Sequence, residues 1–202
     1  MNQILEWLSG GDLRSDGASD EVVSIVLENP QIFDDLYDGL SHSDKVVSGR
    51  AADALEKIAR TKPELFIDRL TEIIYIAQTD EHSAVRFHLA MLLGHLAGYE
   101  DQIDIITNAL TELLKDKSAF VKSWAIASLC IVGRLYPTEK EGIITKVSVL
   151  DRDQGIAVRT RVRKGLEVLL TEGAPFPPGW VKREHFAPHG LPNPRVGQQK
   201  FR

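Results

Sequence analysis

Four stretches of this sequence repeat one pattern at a period close to 37 residues. Each copy contains a valine that begins an apolar stripe, and the valines follow one another by 38, 36 and 37 residues: Val47, Val85, Val121 and Val158. A polar residue stands five positions before each valine, namely His42, Asp80, Asp116 and Asp153. Self-similarity at such a period is typical of stacked units that bury their apolar faces against each other. The sequence therefore predicts an array of repeats, and arrays of this kind usually bind other molecules.

Apolar residues recur at helical spacing throughout these stretches, and strand alternation fits them badly. Pro63 and Pro137 suit the first turn of a helix, where the missing N–H is harmless. The second helices of successive pairs are predicted over 44–60, 83–97, 118–134 and 155–171. The first helices of the later pairs are predicted over 63–78, 101–115 and 138–150, after shorter helices over 2–9, 21–28 and 31–40.

Composition favours one helical domain followed by a different kind of segment. The 43% hydrophobic and 26% charged content is that of a chain with a real core, and residues 1–172 are predicted to form a single domain. After Leu170 the chain becomes rich in proline and aromatic residues, and proline cannot occupy a helix interior. Residues 173–202 are therefore predicted to form an extended, basic tail that packs in part on the last repeat.

Charge and cysteine content indicate where such a chain works. The net charge is −5, but the tail carries +4, which leaves −9 on residues 1–172. An acidic body disfavours indiscriminate nucleic-acid binding by the whole surface. The single cysteine, Cys130, rules out an internal disulfide, and no segment reaches the ~20 apolar residues of a membrane span. The start of the chain lacks the features of a signal peptide, so a cytoplasmic location without membrane contact is predicted.

The repeat resembles the HEAT-repeat family, whose second helix begins with Asp, then Val-Arg, then Ala and Leu at helical spacing. The clearest copies run from Asp80 to Ala97 and from Asp116 to Gly133, and the resemblance covers roughly residues 30–171. It implies an all-α fold, a right-handed α-solenoid of about four helix pairs with an N-terminal helix and an extended C-terminal tail. It also implies a protein-interaction module or scaffold, with the second helices lining a concave face.

The resemblance turns one repeat position into a candidate binding surface. The third residue after each valine points away from the core stripe, and the tenth residue adds a second row on the same wall. The predicted partner-binding residues are Arg50, Lys57, His88, His95, Trp124 and Arg161. Cationic and amphipathic groups in a row suit a protein partner, above all an acidic peptide, or a phosphate-bearing ligand. An ordinary solvated helix face carries the same residue types, and that interpretation stays open.

Nucleic-acid binding through the last repeat and the tail is the alternative function. Its residues form a basic patch together with Arg161: Arg159, Arg163, Lys164, Lys182 and Arg183. A third possibility is that the tail occupies the concave face of its own or a neighbouring molecule, drawn by the opposite charges of tail and body.

Catalysis, a cofactor and a metal site are not predicted. No His-Glu dipeptide of the kind used by HEAT-like iron enzymes occurs, and no phosphate-binding glycine loop, serine nucleophile motif or zinc spacing is found. His88 and His95 lie seven positions apart on one helix, about 10 Å, which is too far for one ion without further ligands.

Overall fold

The computed structural model describes residues 3–182, apart from the side chain of Glu100. Over that range the chain is helical and contains no strand, which confirms the all-α prediction. The α-helices of the described range are α1 (Gln3–Leu8), α2 (Ser19–Glu28), α3 (Phe33–Tyr37), α4 (Lys45–Ala59), α5 (Leu70–Thr79), α6 (Ser83–Leu96), α7 (Ile103–Leu113), α8 (Ala119–Leu135), α9 (Pro137–Ser148) and α10 (Ile156–Leu170).

Short 3-10 turns replace parts of several predicted helices. The helix predicted over 63–78 begins as a 3-10 turn, Pro63–Arg69, and becomes α-helical at Leu70. Similar turns, Pro30–Ile32 and Val149–Arg152, precede α3 and follow α9. In the described part of the chain, no helix is long and apolar enough to cross a bilayer. The cytoplasmic location stays a prediction.

Internal contacts divide the chain into two compact units, Met1–Leu92 and Leu93–Arg202. In the first unit, α4 packs against α1, α2 and α3. The core around α4 includes fully buried Leu55 and Ile58 of α4 and Val22 of α2. Burying side chains of this size stabilises the unit by about 1.5–3 kcal/mol each relative to leaving them in water.

The second unit is built around α8, which packs against α7, α9 and α10. Val121 and Val158 are fully buried there, as the repeat pattern predicts. A side chain at Gly165 would place its Cβ 2.9 Å from the sulfur of Cys130, so glycine lets α10 approach α8 closely. Cys130 is buried, and burial raises the pKa of its thiol to about 12, which keeps it inert at neutral pH.

The polar residue that precedes each repeated valine forms a turn before the helix. The carboxylates of Asp80, Asp116 and Asp153 each accept a hydrogen bond from the backbone N–H two residues later, at 2.6, 2.6 and 2.8 Å. In the first copy, Nδ1 of His42 accepts from the N–H of Asp44 at 3.0 Å. Histidine therefore replaces aspartate in the same local hydrogen bond, which explains how the first copy keeps its turn.

Lys122 and Arg159, which directly follow the repeated valines Val121 and Val158, contact the turn formed by Asp153. Nη1 of Arg159 donates to the carbonyl of Asp153 at 2.6 Å. The ammonium of Lys122 pairs with the Asp153 carboxylate from the next repeat. These recurring charges of the pattern thus hold turns and neighbouring repeats together.

Candidate functional site

The six predicted partner-binding residues have three different environments. Arg50, Lys57 and His88 belong to the first unit, whereas His95, Trp124 and Arg161 belong to the second. Arg50 and His95 are each buried, in different units. Lys57 and His88 belong to an ion-pair network, and Trp124 and Arg161 belong to an aromatic group.

Arg50 is a structural residue, which corrects its placement on an open concave wall. Its side chain is buried, with 5% exposure for the residue as a whole. Its guanidinium donates to the carbonyls of Leu8 and Gly10, both at 2.8 Å, and to the carbonyl of Asp12 at 3.1 Å. Longer hydrogen bonds reach the carbonyls of Ser9 and Ser15 and the hydroxyl of Ser15. The N-terminal loop therefore closes over Arg50 and uses its N–H donors.

Glycines allow this loop to wrap around a guanidinium. Gly10, Gly11 and Gly17 have φ values of 77°, 68° and 58°, which side chains rarely adopt. A Cβ added to Gly17 would lie 2.6 Å from Cζ of Arg50, and one added to Gly11 would lie 3.4 Å from Nη2. The glycines thus supply both the left-handed backbone and the room that the arginine needs.

His95 is also buried, with 2% exposure, so it does not extend a second row on an open face. It lies in the last turn of α6 among leucines, and Leu92 and Leu96 beside it are fully buried. A partner could not contact this imidazole without opening the core.

Lys57 and His88 meet at Asp53 on the face of α4. Nζ of Lys57 lies 2.8 Å from Asp53 and 2.6 Å from Asp20, and Nδ1 of His88 lies 3.6 Å from Asp53. Burial opposes the charge of Lys57, but its hydrogen bonds to Asp20 and Asp53 outweigh that effect and raise its pKa. Both predicted residues are therefore occupied by acidic neighbours of their own unit.

A possible metal-ligand group lies at the same place. Ligand atoms of Asp53, Glu56 and His88 all lie within 4.8 Å of one another. The sequence analysis missed the two carboxylates because they come from α4, not from the helix that carries His88. Each carboxylate already has a cation beside it, since Glu56 pairs with Arg60 and Asp53 with Lys57. The donor set therefore fits a charge-compensated ion-pair network, and a metal ion would have to displace both cations.

Trp124 and Arg161 do lie together, in the second unit. Cζ of Arg161 stands 4.9 Å from the Trp124 ring centroid and 4.6 Å from that of Trp180. Nζ of Lys182 lies 5.1 Å from the Trp124 centroid. Cations over indole faces are held by the negative face of the ring. We call Trp124, Arg161, Trp180 and Lys182 the tryptophan–arginine cluster.

Arg161 differs from comparable arginines because no oxygen accepts from it within residues 3–182. Six other arginines in that range are buried or half-buried, and each donates to a carbonyl or carboxylate oxygen: Arg50, Arg60, Arg69, Arg86, Arg134 and Arg159. For the half-buried Arg161, the polar and ring contacts within residues 3–182 are those with the two indoles. Burial lowers the pKa of Arg161, in the direction expected for a cation removed from water without a counter-charge.

Trp180 reaches the cluster on a segment held mainly by side chains. Phe176 and Trp180 are buried, with 7% and 6% exposure. Arg134 donates to the carbonyls of Val168 and Ala174, both at 2.9 Å, and its Cζ lies 5.6 Å from the Phe176 ring centroid. Between 173 and 182, the backbone–backbone hydrogen bonds of the described chain are local ones, such as Trp180 N–H to the Pro177 carbonyl. Aromatic anchors therefore fix this segment against α10.

Two residues of the predicted basic patch, Arg159 and Lys182, are engaged in contacts within their own unit. Arg159 is turned into its own loop, where Nη1 donates to the carbonyls of Asp153 and Gln154. Lys182 belongs to the tryptophan–arginine cluster, while Arg163 and Lys164 are exposed on α10. Arg183 lies outside the described residues.

Comparison with known proteins agrees with the helical repeat seen in the structure. The family model of the HEAT repeat domain matches residues 13–136, more than half of the chain. The chain belongs to the HEAT repeat family. The match ends before α10, whose Arg163 occupies a position where earlier copies have small or apolar residues. No curated protein matches the chain.

Among solved structures, two engineered proteins of the Northeast Structural Genomics Consortium have a similar fold. One shares 18% identity with a TM-score of 0.54, and the match covers 84% of this chain and 78% of that one. The other shares 19% identity with a TM-score of 0.54, and the match covers 84% of this chain and 47% of that one. A designed armadillo repeat protein matches at 14% identity and a TM-score of 0.39, over 83% of this chain and 99% of that one. At these identities the likeness concerns the fold alone.

Proposed function

We propose that this HEAT repeat protein is a non-catalytic protein-interaction module that binds a partner protein through the tryptophan–arginine cluster. The fold supports the general class, since HEAT repeats typically serve as interaction scaffolds. The observation that carries the proposal is Arg161, a half-buried guanidinium in contact with two indoles and without an acceptor in residues 3–182. Of the predicted row, only Trp124 and Arg161 remain in the proposed surface.

The composition of the cluster favours a protein partner. Tryptophan and arginine are the residues that most often dominate the free energy of binding at protein interfaces. Both indoles are already ordered by contacts inside the unit, so binding would cost little side-chain entropy. Exposed Lys164, one turn after Arg161 on α10, adds positive charge beside the cluster, which suits an acidic partner surface. Arg163, two residues after Arg161, projects from a different side of the helix.

Nucleic-acid binding is the less favoured function because Arg159 and Lys182 of its predicted patch are engaged within the unit. Arg159 donates to its own loop, and the remaining exposed cations of α10 are few against a net charge of −5 for the chain. Phosphate-dominated binding would weaken steeply with salt, whereas a contact centred on aromatic residues would not.

Affinity capture from the native cell with quantitative mass spectrometry tests the proposal. The full-length chain is compared with the double variant Trp124→Ala/Arg161→Gln. The matched control is Trp7→Ala/Arg163→Gln, which removes an exposed tryptophan and an exposed arginine elsewhere. We expect the double variant to lose a partner that the control retains, with equal helicity by circular dichroism. Equal capture by both variants would refute the proposed surface.

The same preparations test the alternative with short DNA and RNA duplexes on a native gel. We expect no shift at 150 mM salt, a concentration at which exposed charges are screened beyond about 8 Å. A shift that disappears between low and moderate salt, and that depends on Arg163 and Lys164, would favour nucleic-acid binding instead.

A further inference from the structure

We propose that Arg161, positioned by Trp124 and Trp180, is a receptor for a carboxylate side chain of an acidic peptide. This inference rests on the proposed protein-binding function and adds the chemistry of the partner. The ligand group is an aspartate or glutamate carboxylate that accepts from the guanidinium of Arg161.

Within residues 3–182, the contacts of Arg161 leave its N–H donors without an oxygen acceptor. Both tryptophans contact the guanidinium through the faces of their rings, at 4.9 and 4.6 Å from Cζ to the centroids. A ring face attracts the positive charge but does not take the N–H groups as a carbonyl does. The five donors of a guanidinium form a planar fork that matches a carboxylate with two parallel hydrogen bonds.

The surroundings of Arg161 make an external acceptor worthwhile. A half-buried charged group without an acceptor keeps part of its desolvation cost, and a bound anion removes that cost. The six other shielded arginines of the described range donate hydrogen bonds to oxygens of the protein itself. Arg50 makes the most of them. Among the shielded arginines of residues 3–182, Arg161 is therefore the one to which a ligand would supply the acceptor.

Local charge also favours an anion at this point. The ammonium of Lys182 lies over the Trp124 ring, and Lys164 extends from the same helix as Arg161, one turn later. A carboxylate carries a single charge and matches the single uncommitted guanidinium. A phosphate dianion normally requires several donors or charges.

Trp180 makes the C-terminal segment a part of this receptor. Its ring is buried and packs where Gly165 has no side chain, 3.8 Å from an ideal Cβ at that position. Removing Trp180 would free the guanidinium to turn toward solvent. The proposal therefore predicts weaker binding without Trp180, whereas a segment that merely blocked the surface would give tighter binding on removal.

Calorimetric titration with a defined probe tests the proposal directly. The probe is the peptide acetyl-Ser-Glu-Ser-Glu-Ser-Glu-amide, and its control has glutamine in place of each glutamate. The full-length protein is compared with Arg161→Gln, Arg161→Lys and Trp180→Ala. Arg163→Gln is the matched control, because it removes the same charge two residues away on an exposed site.

We expect the glutamate peptide to bind and the glutamine peptide not to bind. Arg161→Gln should weaken binding by about tenfold, as loss of a charge-assisted pair implies. Arg161→Lys should bind the peptide more tightly than Arg161→Gln but more weakly than the unchanged protein. Arg163→Gln should change the affinity by less than about twofold. Trp180→Ala should also weaken binding. Inorganic phosphate at the concentration of the peptide should not displace it.

Several outcomes would overturn the carboxylate receptor. These are absence of binding by the glutamate peptide, equal weakening by Arg161→Gln and Arg163→Gln, tighter binding by Trp180→Ala, or displacement by phosphate. If partner capture still depends on Trp124 and Arg161 in that case, only the ligand chemistry is wrong. If capture is independent of them as well, the proposed function fails with it.

Discussion

Arg50 and Arg161 occupy the same place in the repeat, three residues after Val47 and Val158, yet their environments are opposite. A terminal segment covers each of them within its own unit. The N-terminal loop presents backbone carbonyls to Arg50, whereas the C-terminal segment presents the face of Trp180 to Arg161. Carbonyls consume the donors of a guanidinium, and an indole face leaves them available. The chemistry of the covering segment, not the repeat position, decides whether the arginine is structural.

The two arginines should differ most in the loss of folding stability when each is replaced by methionine, which removes the guanidinium but keeps most of the side-chain length. Arg50→Met removes the donor from the buried carbonyl of Leu8 and the part-buried carbonyls of Gly10 and Asp12, so we expect the free energy of unfolding to fall by about 3–5 kcal/mol. Urea denaturation followed by circular dichroism measures the change. A loss below about 1 kcal/mol would show that water replaces the arginine at little cost.

Gly17 offers a second way to disturb the enclosure of Arg50. Gly17→Ala places a methyl group against the guanidinium at a residue whose φ is 58°. We expect a loss of about 1–3 kcal/mol in the free energy of unfolding, because steric overlap and backbone strain act together. Gly173→Ala is the control, since its φ is also positive but no atom lies within 4 Å of the added Cβ. A similar loss in both variants would assign the effect to backbone conformation alone.

Removing Arg161 should cost much less stability than removing Arg50. Arg161→Met loses contacts with two indoles and breaks no hydrogen bond within the described residues, so we expect a change of about 1 kcal/mol or less. The same urea experiment measures it. A loss equal to that of Arg50→Met would contradict the distinction between the two arginines.

The smallest expected change in the free energy of unfolding concerns the turn that Asp153 forms before the last repeated valine. The hydrogen bond from Lys122 lowers the pKa of Asp153 below its ordinary value of 3.8. A lowered pKa in the folded state contributes stability above pH 3.8, and that contribution is lost as the pH falls through the folded value. Asp153→Asn should therefore cost about 0.5–1 kcal/mol at pH 6 and progressively less below pH 4. Unfolding midpoints measured across this range would refute the account if the difference were independent of pH.

The repeat pattern predicted the scaffold well because its residues act locally. Val47 and Val158 are buried as their helical spacing requires, and the turn formed by Asp153 involves a backbone N–H only two residues away. The pairing of Lys122 with Asp153 also follows from the period, since it joins equivalent places in successive repeats.

The candidate site was harder to predict because it depends on segments outside the period. The acceptors of Arg50 lie about 40 residues earlier, in a loop whose only signal was the cluster Gly10, Gly11 and Gly17. Likewise, helical spacing placed His88 on the predicted concave wall but gave no hint of Asp53 on α4. The aromatic content of the tail did indicate packing, but not that Trp180 would contact Arg161.

Arginine side-chain NMR tests the central claim most directly, because the Nε–H resonances of Arg50 and Arg161 are observed in one sample. Titration with the glutamate peptide should shift the Arg161 resonance saturably and leave the Arg50 resonance unchanged. Assignment follows from the spectra of Arg161→Lys and Arg50→Lys. An unmoved Arg161 resonance, while that of exposed Arg163 shifts, would contradict the account.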